Sequence, residues 1–365
     1  MPLGKIGSAI RDSLVGTITG ASDVVQATIG ITKDSTVNTL KGARDVVQEA
    51  TGLVGDTVSG AVQAANETGT GIASTAKGAV IGTIRGVGEV STVTTGVLSE
   101  TIRSAIKGTS EVGGDIGGAT RGAAEGVASV TKGVGLGIQD ATFSVALGAI
   151  QGTKDVGANL ANTAKHTVQG TLKGVAEVSG DAMEAVYGTA HGLVKGTASV
   201  GGDVAEVARS TAHGAISITK DLNLGVQDMA FSVSRGAIEG TKDVGSNLAM
   251  TAKNTVRGTI TGAHEITGDV TSAIHGSASG IVKGTAGVGG DITAAARNAV
   301  EGAIEGAKSV GIKAEDAASA AANGAVQAAS GLGDASVKAV RDAVSGTISG
   351  VRVVITAPFN KDSKK

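Results

Sequence analysis

Cysteine and tryptophan are absent from this 365-residue chain, proline occurs only twice, and aromatic residues make up 1% of it. Without cysteine there are no disulfides, no thiolate nucleophile and no Cys-based metal site, a composition that fits a reducing compartment. With so few large side chains, and an apolar share carried by Ala, Val and Ile, a thick globular core is not expected. No charge of one sign dominates either: Lys+Arg number 31 against Asp+Glu 33, a net charge of −2. The basic footprint of a nucleic-acid binder is missing, so no nucleic-acid partner is expected. Long apolar runs are lacking too. The longest uncharged stretch, Ala317–Gly333, holds Asn323 and Gln327 and falls short of the ~20 apolar residues of a membrane span. The opening MPLGKIGSAIRDSLVG has no apolar h-region or cleavage site. The expected location is cytoplasmic and peripheral to a membrane or lipid surface, neither secreted by a classical signal nor transmembrane.

What is abundant is glycine, 59 residues of it, and it is periodic. Stepping by 22 from Gly16 to Gly346 meets glycine at fourteen of sixteen positions, the exceptions being Asn38 and Ser104. Four residues further on, twelve of sixteen are glycine again. The third position of this unit is aliphatic except at Ala128, and the ninth is aliphatic except at Thr68. A longer repeat overlies the first: residues 135–174 and 223–262 match at 27 of 40 positions, an offset of 88. The array occupies residues 16–351, between a lead-in at 1–15 and a polar tail at 352–365 that ends PFNKDSKK.

Twenty-two is twice eleven, and eleven residues close three turns at ~3.67 residues per turn, near the natural α-helical value. The pattern predicts an all-α protein: a long amphipathic 11/3 helix built from 22-residue units with an 88-residue superrepeat, either extended or folded back into a long helical bundle. Strand alternation appears locally, as in GVGEVSTVT, but a period of two does not keep charge on one side of an eleven-residue register. If straight, the array would span about 500 Å, and folding back in blocks of 88 would give helices of about 130 Å. Fold-back points are Gly113-Gly114, Gly201-Gly202, Gly289-Gly290 and the DLNLG stretch at 221–225. The lipid- or core-facing residues are Ile18, Leu40, Ile84, Ile106, Ile150, Leu172, Val194, Ile216, Ile238, Ile260 and Ile304, with Val156, Val178, Val200 and Val244. The opposite stripe carries Lys41, Asp45, Arg85, Glu89, Lys107, Glu111, Lys173 and Glu177, with Lys41/Asp45, Lys107/Glu111 and Lys173/Glu177 spaced as i,i+4 pairs.

Each glycine costs a helix roughly 0.8–1 kcal/mol relative to alanine, so an isolated helix of this composition needs a surface to lie on. The pairs Gly148/Gly152, Gly170/Gly174, Gly192/Gly196, Gly236/Gly240 and Gly258/Gly262 have the Gly-x-x-x-Gly spacing that lets two helix backbones approach closely. Alternatively, small residues beside a modest apolar face keep affinity for lipid low per turn, so that a long array binds by summation.

The stretches GTKDVGANLANTAKHTVQGTLKG (152–174), GTKDVGSNLAMTAKNTVRGTITG (240–262) and GLVKGTASVGGDVAEV (192–207) resemble the eleven-residue-repeat amphipathic proteins: perilipins, synucleins and late-embryogenesis-abundant proteins. The resemblance implies disorder in water and an extended helix on phospholipid or during drying. Fewer lysines than synuclein and a mean hydropathy of +0.19 favour a buried surface, lipid or self.

Other motifs read blandly. Clusters such as Gly133-Val-Gly135-Leu-Gly137 lack both GK[ST] and a strand–loop–helix context. No two of His166, His191, His213, His264 and His275 stand i, i+4 apart, so no metal is expected. Phe143, Phe231, Tyr187 and Phe359 are too few for a stacking platform. The expectation is a non-enzymatic protein with no cofactor, catalytic residue or small-molecule substrate. It coats a phospholipid or lipid-droplet surface, with stress protection as one setting. The alternatives are a structural protein that assembles with itself through the glycine seams into a bundle or filament, and a desiccation protectant.

Overall fold

A computed structural model describes residues 4–18, 24–41 and 46–356, with side chains described for 4–17, 24–41 and 52–356. Ile18, Asp45 and the PFNKDSKK tail therefore fall outside what is described for side chains. The chain is all-α, with sixteen α-helices among the described residues and a two-stranded hairpin near the end. No helix of the described residues is long and apolar enough to cross a membrane.

The long helix of the sequence reading is replaced by short ones. Helices α7 (Ile138–Asp155), α8 (Leu160–Glu177), α9 (Ala182–Ser199), α11 (Val226–Asp243), α12 (Leu248–Glu265) and α13 (Val270–Gly287) have 18 residues each, or about 27 Å. Four-residue turns join many of them, so the 22-residue unit is one helix plus one turn. Left-handed backbone recurs in step: Gly113, Gly135, Gly157, Ser179, Gly201, Asn223, Gly245, Thr267, Gly289, Gly311 and Gly333 all have positive φ. The turn after α7 shows the chemistry. Gly157 N–H donates to the Lys154 carbonyl at 3.1 Å and Ala158 N–H to that of Thr153 at 3.0 Å, the crossed pair of a Schellman motif. Asn159 then caps α8, its side chain accepting from Asn162 N–H at 2.9 Å. Asp181, Asn247, Asp269 and Asp291 cap α9, α12, α13 and α14 (Ile292–Val310) in the same way.

Two compact units result, residues 1–203 and 204–365. In the first, each helix packs most extensively on the helix two places along. These partners are parallel: Gly78 and Gly86 of α4 (Ile72–Val90) face Thr28 and Thr36 of α2 (Val24–Lys41), with Gly82 between them against Ile29 and Thr32. One layer is α1 (Lys5–Ile18), α3 (Val46–Thr68), α5 (Thr95–Glu111), α7 and α9. The other is α2, α4, α6 (Ile116–Val130) and α8. The second unit repeats the plan with α11, α13 and α15 (Ala314–Ser330) against α10 (Val204–Ser217), α12 and α14. Such an array, in which helices meet near neighbours only, is a solenoid.

The layers meet over small aliphatic side chains and threonine. Thr153 donates to the Ala149 carbonyl at 2.7 Å, and its Oγ1 lies at hydrogen-bond distance, 2.9 Å, from Thr163 Oγ1, tying α7 to α8. Thr241 does the same toward Thr251 at 3.1 Å. Bonding back to the i−4 carbonyl lets these hydroxyls lie buried without an unpaired donor.

At its C-terminal edge the second unit departs again from the expected array. Gly346 and Gly350, which sustain the 22-residue phase, have φ of 88° and 80°, and Ser349 has 49°. Strand β1 (Gly346–Ile348) and β2 (Val351–Val353) pair antiparallel across residues 349 and 350, where consecutive positive φ values suit a primed hairpin turn. Ile348, Val351 and Val353 are buried, and the segment is pinned to α15 by Val354 N–H on Ser319 Oγ (3.1 Å) and Thr356 N–H on Asn323 Oδ1 (2.8 Å).

Candidate functional site

The aliphatic positions singled out from sequence divide into two sets. Leu40, Ile84, Ile106, Ile150, Leu172, Val194, Ile216, Ile238, Ile260 and Ile304 are at most 1% exposed, sealed inside the chain. Val156, Val178, Val200 and Val244 instead occupy helix C-caps and are half-buried. The ninth position thus belongs to the turn, a correction to its placement on one continuous apolar face.

The seam glycines are likewise used within the chain. A Cβ on Gly192 would stand 2.5 Å from the Phe143 carbonyl oxygen and 2.8 Å from Ala146 Cβ; on Gly152 it would stand 3.0 Å from Arg103 Cα. Gly148, Gly170, Gly174 and Gly258 press on the carbonyls of Ser99, Arg121, Glu125 and Arg209, and Gly262 on that of His213 at 2.9 Å. Gly196 meets only side chains, at 3.2 Å and beyond. Gly236 and Gly240 are buried. In nearly every case the contact lies 49 residues back, so the seam joins a helix to its parallel neighbour.

The edge of the first unit lacks this seam. In α1 and α2 the packing register slips by four residues, since Gly60 meets Gly7 and Gly82 meets Ile29, both 53 back. The residues then occupying seam positions are Ser8, Asp12 and Gly16 on α1 and Gly30, Asp34 and Asn38 on α2; all but the half-exposed Ser8 are exposed. Polar outer faces of this kind terminate solenoids.

What remains for interaction is the outward stripe of each helix. Apart from Asp45, which lies outside the described residues, the charged residues expected there are exposed or half-exposed, but several such side chains pair across helices. Lys77 Nζ lies 2.7 Å from Oε1 of both Glu125 and Glu177, linking α4, α6 and α8. Arg103 and Lys107 share Asp155 Oδ2 at 2.6 and 3.0 Å, and Lys253 holds Glu301 and Glu305 at 3.0 and 3.1 Å. For Lys77, burial opposes the charge and the two carboxylate hydrogen bonds outweigh it, raising its pKa. Asp155 is held below the usual carboxylate range by the Arg103 hydrogen bond, against burial. His166 is shifted down by burial and then by the Arg121 charge.

Within each unit the outer faces of the two layers differ in a way the 22-residue reading missed. One repeat position, followed every 44 residues, reads Lys77, Arg121, Lys165 on α4, α6 and α8 and Arg209, Lys253, Arg297 on α10, α12 and α14. In the opposite layers the same position reads Arg11, Gly55, Ser99, Phe143 and Tyr187 in the first unit, and Phe231, His275 and Ser319 in the second, so that rings occupy it only on α7, α9, α11 and α13. His191 packs edge-on to Phe143 (5.2 Å between centroids) and to Tyr187 (6.1 Å), and Lys195 Nζ sits 5.7 Å from the Phe143 ring centre. Phe231 lines a shallow cleft of about 310 Å³ with Arg235, Lys283 and Leu332. The signal was legible as a 44-residue period, because adjacent helices belong to opposite layers.

Among the described residues no three His, Cys, Asp or Glu side chains gather as a metal site. A scan against protein families finds no match to this chain, and neither does a search of the curated proteins.

Proposed function

We propose that this chain is a non-enzymatic structural scaffold whose glycine seams serve its own folding, and whose chemically distinct outer faces, two in each unit, are its working surfaces. The observation that carries this reading is that the apolar third positions and the seam glycines, the features that called for an external surface, are covered by the chain's own helices. Exposed acids at Asp34 and at Asp12, the latter paired with its neighbour Arg11 at 2.7 Å, disfavour a further helix docking on that edge, because burying charged groups is costly. This is the self-associating reading with the association moved inside one molecule.

A second reading keeps the lipid surface as partner. Left-handed residues recur as hinges at a 22-residue spacing, and each intervening helix is amphipathic. Opening the hinges would transfer the faces built on Ile150, Leu172 or Ile260 from one another to acyl chains.

Far-UV circular dichroism of the dilute protein, with and without phospholipid vesicles and over a range of protein concentrations, separates the two. The scaffold reading expects helix in buffer that is independent of both concentration and vesicles. Helix appearing only with vesicles would establish the lipid coat in its place, and helix that grows with concentration would favour assembly between chains.

A further inference from the structure

Among the described turns of the first unit, the one between α4 and α5 departs from the repeat, and a cleft opens there. Ser91 stands in the phase at which the other turns have left-handed backbone, yet its φ is −151° and its ψ 175°. Ser91 and the α5 cap Thr94, at the two ends of this linker, both have extended backbone. At the same end of the unit α6 stops at Val130 and continues as a 3-10 turn, Thr131–Val134, where sister helices such as α8 run on as regular α-helix. The shortened helix and the α4–α5 linker bound a cleft of about 550 Å³, within the size range of small-molecule sites.

Its lining is divided by chemistry. The floor is apolar: Val93, 2% exposed, with Val130 and Val134. Gly88 leaves that floor open, since a Cβ there would only touch Val93 and Val134 at 3.5 and 3.6 Å. The rim carries Arg85, Glu89, Ser91, Thr92 and Ser129. Glu89 is neutralised by Lys33 at 2.6 Å. Ser129 donates to the Gly126 carbonyl at 2.8 Å, whereas Arg85 and the Ser91 and Thr92 hydroxyls hydrogen-bond to none of the described residues. The unspent groups are thus donors, one of them a guanidinium whose planar fork matches a carboxylate. The C-terminal ends of α4 and α6 also border the cleft, and their negative dipole ends oppose every anion, a doubly charged one about twice as strongly as a carboxylate that the Arg85 guanidinium neutralises.

We infer that this cleft binds a small organic monocarboxylate, its carboxylate on Arg85 with the Ser91 and Thr92 hydroxyls and its hydrocarbon on the Val93–Val134 floor.

Amide NMR of the full chain, titrated with isovalerate, tests this against isovaleramide, acetate and inorganic phosphate. Isovalerate is expected to shift the Ser91, Thr92, Val93 and Gly133 amides in a saturable way, with the other three probes weaker. Arg85→Gln should weaken the isovalerate response at least about tenfold, with an unchanged circular dichroism spectrum because Arg85 is exposed and holds no structural partner. Gly88→Ile, which fills the floor, should abolish the response. Equal binding of isovaleramide would remove the carboxylate, equal binding of acetate would remove the apolar floor, and equal binding of phosphate would show a bare anion site. Any of these, or an Arg85→Gln variant that responds like the parent, overturns the assignment.

Discussion

Alanine normally stabilises a helix relative to glycine by ~1 kcal/mol, and the seam predicts where that sign reverses. At Gly192 the new Cβ would lie 2.5 Å from the Phe143 carbonyl oxygen and 2.8 Å from Ala146 Cβ. Ordinary van der Waals contact for a Cβ begins near 3.4 Å, so α9 must withdraw from α7 by roughly 0.9 Å, and a gap of that size forfeits about a quarter to a half of the dispersion attraction between the atoms it separates. Overpacking against rigid backbone costs about 1–3 kcal/mol; after the propensity gain of ~1 kcal/mol the net loss for Gly192→Ala is up to about 2 kcal/mol. Gly188 makes the same demand, with the Gln139 carbonyl oxygen at 2.5 Å from its added Cβ. One displacement relieves both clashes, so the double variant should be little less stable than Gly192→Ala alone, a strongly non-additive pair. Gly30→Ala on the open edge, with nothing within 4 Å, should instead gain up to about 1 kcal/mol. Urea unfolding followed by circular dichroism gives the signs, and amide hydrogen exchange locates the loss to α7 and α9. A Gly192→Ala protein as stable as the parent, with unaltered exchange in these helices, would refute close approach as the reason for the glycine.

Replacing Lys77 by Met removes two cross-helix ion pairs at once and leaves Glu125 and Glu177 without their shared cation. The expected cost is on the order of 1 kcal/mol, shrinking at high salt, and is read from urea midpoints at two ionic strengths. Asp291→Ala deletes the cap that accepts from Thr293 and Ala294 N–H and should cost about 0.5–2 kcal/mol, with faster exchange in the first turn of α14. His166 has its pKa lowered, chiefly by burial and then by Arg121, so the unfolded chain takes up its proton first as pH falls. Its contribution to the stability of the first unit is present above the ordinary histidine pKa and is lost as pH drops through the depressed folded value. Thermal melts across that window should lose part of their pH dependence in His166→Phe, and an unchanged profile would place the dependence elsewhere.

The faces of the helices were legible in the sequence, and the number of helices was not. Ile150, Leu172 and Ile260 recur at a fixed phase because each faces the opposite layer, and Glu89 and Glu177 recur at another because each faces water. That reading survives whether the helix is continuous or broken, since an 18-residue helix and a four-residue turn restore the same phase. The turns were hidden for a second reason: Gly157 and Gly245, left-handed at the turn, look no different in a list from Gly170, which a neighbouring backbone requires to be small. The distinguishing mark is the Asn or Asp two residues later, at Asn159, Asp203, Asn247 and Asp291, a capping signal that a continuous helix does not need. The hairpin was masked because Gly346 and Gly350 keep the array's phase while taking strand-and-turn geometry. The cleft beside Arg85 left no positive signal at all; it exists because Ser91 and α6 fail to follow their repeats.

The same geometry explains the scarcity of aromatic residues. A helix whose glycines touch the backbone of its parallel neighbour, and whose third positions meet an antiparallel layer, has no interior volume for a six-membered ring. Leucine, isoleucine and methionine head the largest fully buried side chains. Rings can then stand only on the outward stripe, which is where Phe143, Tyr187 and Phe231 are found. Their outward position follows from exclusion and needs no selection for binding, but their confinement to one repeat position in one set of layers, with cations at the equivalent place in the other, does not follow from sterics. Because glycine consumes the flanks and aliphatics consume the inner face, any partner of this chain must be recognised by those stripes or at the points where the repeat is interrupted.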